Sequence, residues 1–141
     1  MNLSKSVVYM ADDDADDRYF MCHALRTSDP SVTIVEAEDG QSLLTLLQNR
    51  MQTSDSPPVN LILLDMNMPR SNGLDTLIAL KANPALRHIP TVLISTSAQP
   101  DQVISAYQNG INSYIQKPAS SFDMTSVAQA LKVCFLDVAM S

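Results

Sequence analysis

The sequence predicts an α/β domain: a doubly wound, five-stranded parallel sheet with five helices on its faces. Short apolar runs alternate with longer stretches of helical periodicity five times along the chain. The 141 residues suit one domain, and 45% hydrophobic against 17% charged residues suits a packed core rather than a disordered chain. No internal repeat, low-complexity tract or break in composition divides it, so residues 1–141 are expected to form a single domain.

Val7 to Ala11 is apolar and β-branched, as in a buried strand. Ala15 to Thr27 follows as a helix, with Phe20 and Ala24, and Met21 and Leu25, spaced i, i+4. After the Asp29-Pro30-Ser31 turn, Val32 to Ala37 reads as a second strand, and Gln41 to Met51 as a helix with a broad leucine face. Gln52 to Pro58 is a polar, proline-containing loop. Leu61 to Leu64 is the third strand, ending at Asp65, and a loop over Pro69 to Gly73 leads to a helix over Leu74 to Asn83, stopped by Pro84. Thr91 to Ile94 forms the fourth strand. Pro100 to Gln108 is a short helix closed by Asn109-Gly110. Ser113 to Ile115 is the fifth strand. Ser121 to Val138 is the last helix, with Ser120 or Ser121 as its cap and Val127, Leu131, Cys134 and Val138 on one stripe.

Fifteen acids against nine bases give a net charge of −6, which disfavours binding to a phosphate backbone. Cys22 and Cys134 make neither a disulfide framework nor a zinc site. Their apolar neighbours predict buried free thiols in a reducing compartment. No apolar run reaches the length of a membrane span or a signal-peptide core, so a cytoplasmic protein is expected. The eight methionines read as core filling.

In a parallel sheet the strand ends converge on one edge, where ligands bind. Here that edge receives Asp12 and Asp13 from the first strand, Asp65 from the third, Ser95 from the fourth and Lys117 after the fifth. Three carboxylates brought close together require a counter-charge. A hard cation such as Mg²⁺, which favours oxygen ligands and commonly bridges carboxylates to phosphate, fits that need. One carboxylate can then act as nucleophile toward a phosphoryl group. Lys117 brings an ammonium and Ser95 a hydroxyl donor. Asp16 and Asp17 fall in the first turn of a helix and read as complements to its dipole. Asp14 reads as a cap or a neighbour of the acidic pair.

Asp12-Asp13, Leu63 to Pro69 with Gly73, Ile94-Ser95-Thr96 and Tyr114 to Pro118 together resemble the receiver domain of two-component response regulators, in order and spacing over nearly the whole chain. The resemblance implies a flavodoxin-like sheet of strand order 2-1-3-4-5. It implies Asp65 as phosphoacceptor and Mg²⁺ held by Asp12, Asp13, Asp65 and the backbone carbonyl of Asn67, with Asp13 the more direct ligand of the acidic pair. Ser95 and Tyr114 become switch residues, Lys117 a phosphoryl contact and Pro118 a cis-proline. Met66, Asn67 and Ser97 would tune the phosphoryl lifetime. The insert before the third strand, with Pro90 to Ser97 and Asn112 to Pro118, is similar to stand-alone regulators of bacterial phytochrome-type kinases. That similarity implies a sensor histidine kinase or phosphotransfer protein as donor, a downstream protein target and no output domain. Pairing into a homodimer would use the fourth and fifth helices and the strand between them. Neither nucleic acid nor membrane is implied as a partner.

Two other readings compete. A phosphatase with an aspartyl-phosphate intermediate needs an acid two residues after the nucleophile, where Asn67 stands and cannot protonate a leaving group. A binding module independent of phosphate would have no use for the acidic pair, the acceptor and the lysine together. His23 and His88 have no partner pattern that would make either a phosphohistidine.

Overall fold

The computed structural model describes residues 6–53, 56–68, 72–118 and 121–137. Five parallel strands form one sheet: β1 (Val7–Ala11), β2 (Thr33–Ala37), β3 (Leu61–Asp65), β4 (Thr91–Ser95) and β5 (Ser113–Gln116). Their order is β2-β1-β3-β4-β5, as the resemblance implied. The helices are α1 (Ala15–Ser28), α2 (Gly40–Met51), α3 (Gly73–Ala82), α4 (Pro100–Gln108) and α5 (Ser121–Leu131). Ser120 and Val138, expected as a cap and a stripe residue of the last helix, lie outside the described residues. Among the described residues, no helix is long and apolar enough to cross a membrane.

The central strands β1, β3 and β4 are buried along their whole length, which explains their continuous apolar runs. Alternate side chains divide between two cores. Tyr9, Ala11, Ile62, Leu64 and Leu93 face Leu43 and Leu47 of α2, Leu77 and Leu80 of α3, and Ala106 of α4. Val8, Met10, Leu61, Leu63, Val92 and Ile94 face Met21 and Leu25 of α1 and Ala128 and Leu131 of α5. The period of two in each strand thus produces the two helical layers. Met10, Met21, Met66, Met68 and Met124 are buried, in keeping with methionine as core filling, whereas Met51 at the end of α2 is exposed.

Three expectations are corrected. Phe20 is not on the buried stripe of α1: Met21, Cys22, Ala24 and Leu25 are, and Phe20 faces outward against Tyr19. Cys22 is buried, but Cys134 is exposed. The last helix does not keep its α-helical phase. It passes into a π-helical turn over Lys132–Leu136, marked by the Asp137 N–H donating to the Lys132 carbonyl at 2.8 Å. The buried positions then run Met124, Ala128, Leu131 and Leu136. The five-residue last step returns Leu136 to the core and turns Cys134 out.

Two glycine turns close the helices, one at the amino ends of the strands and one at the functional edge. After α4, Gly110 adopts φ +95°, with Gly110 N–H donating to the Tyr107 carbonyl and Ile111 N–H to that of Ala106. This is a Schellman closure and uses the Asn109-Gly110 pair as expected. At the start of α3, Gly73 lies directly on the end of β3, its N–H donating to the Met66 carbonyl at 2.9 Å. A Cβ there would sit 2.6 Å from the Asp65 carbonyl oxygen, 2.6 Å from Leu93 Cδ2 and 2.9 Å from Met66 Cα. Backbone and a buried leucine cannot give way cheaply. Gly73→Ala is therefore expected to destabilise the domain by roughly 1–3 kcal/mol. A urea midpoint equal to wild type would show that α3 can withdraw from β3 without cost.

Candidate functional site

Between β1 and β3 the sheet reverses its order of addition, and the carboxyl ends of these strands open a crevice. Asp12 follows β1 directly, and Asp65 is the last residue of β3. Both are buried, whereas Asp13 is exposed at the mouth. One carboxylate oxygen from each of Asp12, Asp13 and Asp65 lies within 4.8 Å of the others. These are hard oxygen donors around one point, the set a small divalent cation prefers. The floor beneath them is apolar, formed by Met10, Met21, Leu63, Ile94 and Met124.

The local backbone holds this arrangement. Asp14 caps α1, accepting from the N–H groups of Asp16 and Asp17, so the cap reading of Asp14 is correct. Asp12 Oδ1 accepts from the Asp14 N–H at 2.9 Å, and the Asp12 carbonyl accepts from Arg18 at 2.6 Å. Arg18 also pairs with Glu36 at 3.3 Å, tying the start of α1 to β2. Asn67 is exposed two residues beyond Asp65, and its N–H donates to Asp65 Oδ1 at 3.4 Å.

Lys117 follows β5, anchored by its N–H to the Ser95 carbonyl at 2.6 Å. Its Nζ lies 3.0 Å from Asp12 Oδ2, 2.8 Å from Asp17 Oδ2 and 3.3 Å from Asp65 Oδ1. Burial disfavours the ammonium, but hydrogen bonds to Asp17 and Asp12 outweigh it and hold Lys117 firmly protonated. Asp65 is pushed up to about 6, first by burial and then by the charge of Asp12, with Lys117 and the Asn67 N–H pulling the other way. The sequence reading missed the Asp17 contact. Asp17 is the third residue of α1, where the side chain leans back over the preceding turn toward the strand ends. Spacing one helical turn after Asp13 was the available signal.

Ser95 is fully buried at the end of β4, its Oγ accepting from the Ser97 N–H at 3.2 Å. Tyr114 is half-buried in β5, beside Leu93 of β4, and its hydroxyl donates to the Ser97 carbonyl at 3.1 Å. The loop after Ser95 therefore touches both expected switch residues. The Lys117–Pro118 bond is trans, which corrects the expected cis-proline; no peptide is cis among the described residues. The trans form is favoured by about 0.5–1 kcal/mol before proline, and Lys117 reaches all three acids with it.

A family model described as the response regulator receiver domain matches residues 8–131. The chain belongs to the response regulator receiver family. Response regulator Rcp1 of Synechocystis sp. is 32% identical to this receiver domain over 136 residues, spanning 96% of this chain and 92% of that protein. Among solved structures, the phosphorylated cyanobacterial phytochrome response regulator RcpA aligns with a TM-score of 0.86 at 26% identity, over 97% of this chain and 98% of that one. The Mn²⁺-bound form of Rcp1 aligns at 0.82 and 30% identity, over 96% and 97%.

The raised Asp65 pKa has a consequence for the metal-free domain. An acid whose folded pKa exceeds its unfolded value near 3.8 costs no stability below that value, and its full cost applies above about 6. Stability of the metal-free receiver domain should carry a loss from Asp65 as pH rises from about 4 to 6. Asp65→Asn should lack that loss and be more stable at pH 7 by on the order of 1–3 kcal/mol. Chemical denaturation with chelator at pH 4.5, 6 and 7.5 measures it; a less stable Asn variant at pH 7.5 would contradict this electrostatic account.

Proposed function

We propose that this receiver domain is a phosphorylation switch in which Asp65 accepts a phosphoryl group from the phosphohistidine of a sensor histidine kinase or phosphotransfer protein. The observation that carries the reading is the placement of a buried Asp65 between Lys117 and the Asp12–Asp13 pair. A carboxylate oxygen of Asp65 attacks phosphorus; a P–O bond forms as the P–N bond breaks, and its electron pair returns to the imidazole nitrogen. Asp12, Asp13, Asp65 and the Asn67 carbonyl would hold Mg²⁺, which when bound neutralises the phosphoryl oxygens. Lys117 meets another phosphoryl oxygen as a point charge. Ser95 Oγ accepts from the Ser97 N–H in the present state and keeps its own proton available for donation to the phosphoryl group. Similarity to Rcp1 and RcpA supports a phytochrome-type kinase as donor.

The signal leaves through α4, β5 and α5. Movement of Ser95 toward the phosphoryl group displaces Ser97, which holds the Tyr114 hydroxyl. The Tyr114 N–H in turn donates to the Tyr107 hydroxyl of α4 at 3.3 Å. α4 is the element best able to respond: it has no side-chain cap, only Ala106 is fully buried, and Ile104 and Tyr107 are exposed. A downstream protein, or a second copy of the chain, binds this face differently in the two states. Asn67 supplies no leaving-group acid, which weighs against a phosphatase.

Incubation with a small acyl phosphate should add one phosphoryl group to wild type, detected as intact mass, in the presence of Mg²⁺ and not with chelator. Asp65→Asn should gain none. Uptake at the wild-type level in that variant would misplace the acceptor, and no uptake by wild type from either a small donor or a phosphorylated histidine domain would favour a phosphate-independent binding module.

A further inference from the structure

The ammonium of Lys117 has three donors and three carboxylates around it, and they are not equivalent. Its shortest contact, 2.8 Å, is to Asp17, an acid outside the three-carboxylate group of Asp12, Asp13 and Asp65. The contacts to Asp12 and Asp65 are longer, at 3.0 and 3.3 Å. Asp17 itself is well placed to stay where it is. Its N–H is bonded to the capping Asp14 carboxylate at 3.2 Å, and its side chain is 38% exposed, so it carries its charge at little desolvation cost.

The three acids also differ in what the proposed reaction asks of them. Asp12 would be among the residues that hold a divalent cation. Asp65 loses its negative charge when it becomes an acyl phosphate. Asp17 does neither, so its attraction for Lys117 persists in every state.

We propose that Asp17 is a positioning residue that shares the Lys117 ammonium with Asp12 and Asp65 and retains it when a divalent cation takes those two carboxylates, so that the cation need not displace an ammonium with no other partner. The inference rests on the phosphorylation-switch reading above. Without the Asp17 charge, the remaining partners of Lys117 are the two acids that a cation also needs, and the ammonium competes for them. Asp17 is thus more than a complement to the helix dipole. Asp16, in the same turn, supplies the natural comparison: it is exposed, its N–H is also bonded to Asp14, and it makes no contact with Lys117 among the described residues.

The experiment is a calorimetric Mg²⁺ titration of the full chain as wild type, Asp17→Asn, Asp16→Asn and Asp17→Glu, with thermal unfolding of each metal-free protein alongside. Loss of a partner that orients the groups around a metal commonly costs about tenfold or more in affinity, and that weakening is expected for Asp17→Asn. Asp16→Asn, which changes the net charge equally, should weaken binding by less than about twofold, because exposed charges are well screened. Asp17→Glu, which keeps the carboxylate, should recover most of the affinity. Equal effects of Asp16→Asn and Asp17→Asn would reduce Asp17 to a contributor to the overall field and overturn the proposal. So would an Asp17→Asn protein that melts lower but binds Mg²⁺ as wild type does, since that marks a purely structural residue. Failure of wild type itself to bind Mg²⁺ is a separate result, and it would remove the phosphorylation-switch reading first.

Discussion

One ion-pair cluster constrains the functional edge of this domain. A single ammonium, Lys117, contacts Asp12, Asp17 and Asp65 at once, with Asp13 close to two of them. Four carboxylates facing one lysine leave an excess of negative charge over an apolar floor. Lys117 is the common counter-charge: removing it would leave the buried Asp12 and Asp65 carboxylates uncompensated, at a cost of about 3–5 kcal/mol, whereas losing one acid relieves the excess. The rest of the edge is built to hold this imbalance in place: the Asp14 cap orients α1, Arg18 grips the Asp12 carbonyl, and Gly73 lets α3 close against Asp65. The charge excess is what makes the edge receptive to a cation.

The same edge is connected unevenly to the two sides of the molecule. α1 and α5 pack on one face around Leu25, Ala128 and Leu131, all almost fully buried. On the other face, α2 and α3 contribute Leu43, Leu47, Leu77 and Leu80 to the core, but α4 contributes only Ala106 as a fully buried side chain. A change at Ser95 therefore meets firm packing toward α3 and loose packing toward α4. The bonds from Ser97 to Tyr114 and from Tyr114 to Tyr107 run in that loose direction. Elements of low local stability are where switching is least costly.

Much of this was legible in the sequence, for identifiable reasons. The central strands are buried on both faces, so their apolar runs are nearly unbroken and each is marked at one end, β1 and β3 by an acid and β4 by Pro90, and β4 was expected within one residue of its observed end. α4 was expected at its observed limits because Pro100 and Asn109-Gly110 mark both ends chemically. Residues at the strand ends could be placed together from parallel topology alone, which is why Asp12, Asp13, Asp65 and Lys117 meet as expected. What failed depended on rotation rather than on position along the chain. Phe20 is apolar and correctly spaced, yet the stripe of α1 is centred on Met21 and Leu25. Cys134 would sit inward on an ideal helix, but the π-helical turn adds a residue and moves it out. Asp17 looked like any first-turn acid until the path of Lys117 across the crevice was fixed.

A phosphorylation switch at this edge requires Asp65, and no other aspartate, as the phosphoryl acceptor. Borohydride reduction of the phosphorylated protein converts an aspartyl phosphate to homoserine, and peptide mass spectrometry then locates the converted residue. Homoserine at position 65, and at no other aspartate, is the predicted result. Homoserine at position 12 or 13, or a phosphoryl group recovered on His23 or His88, would contradict it.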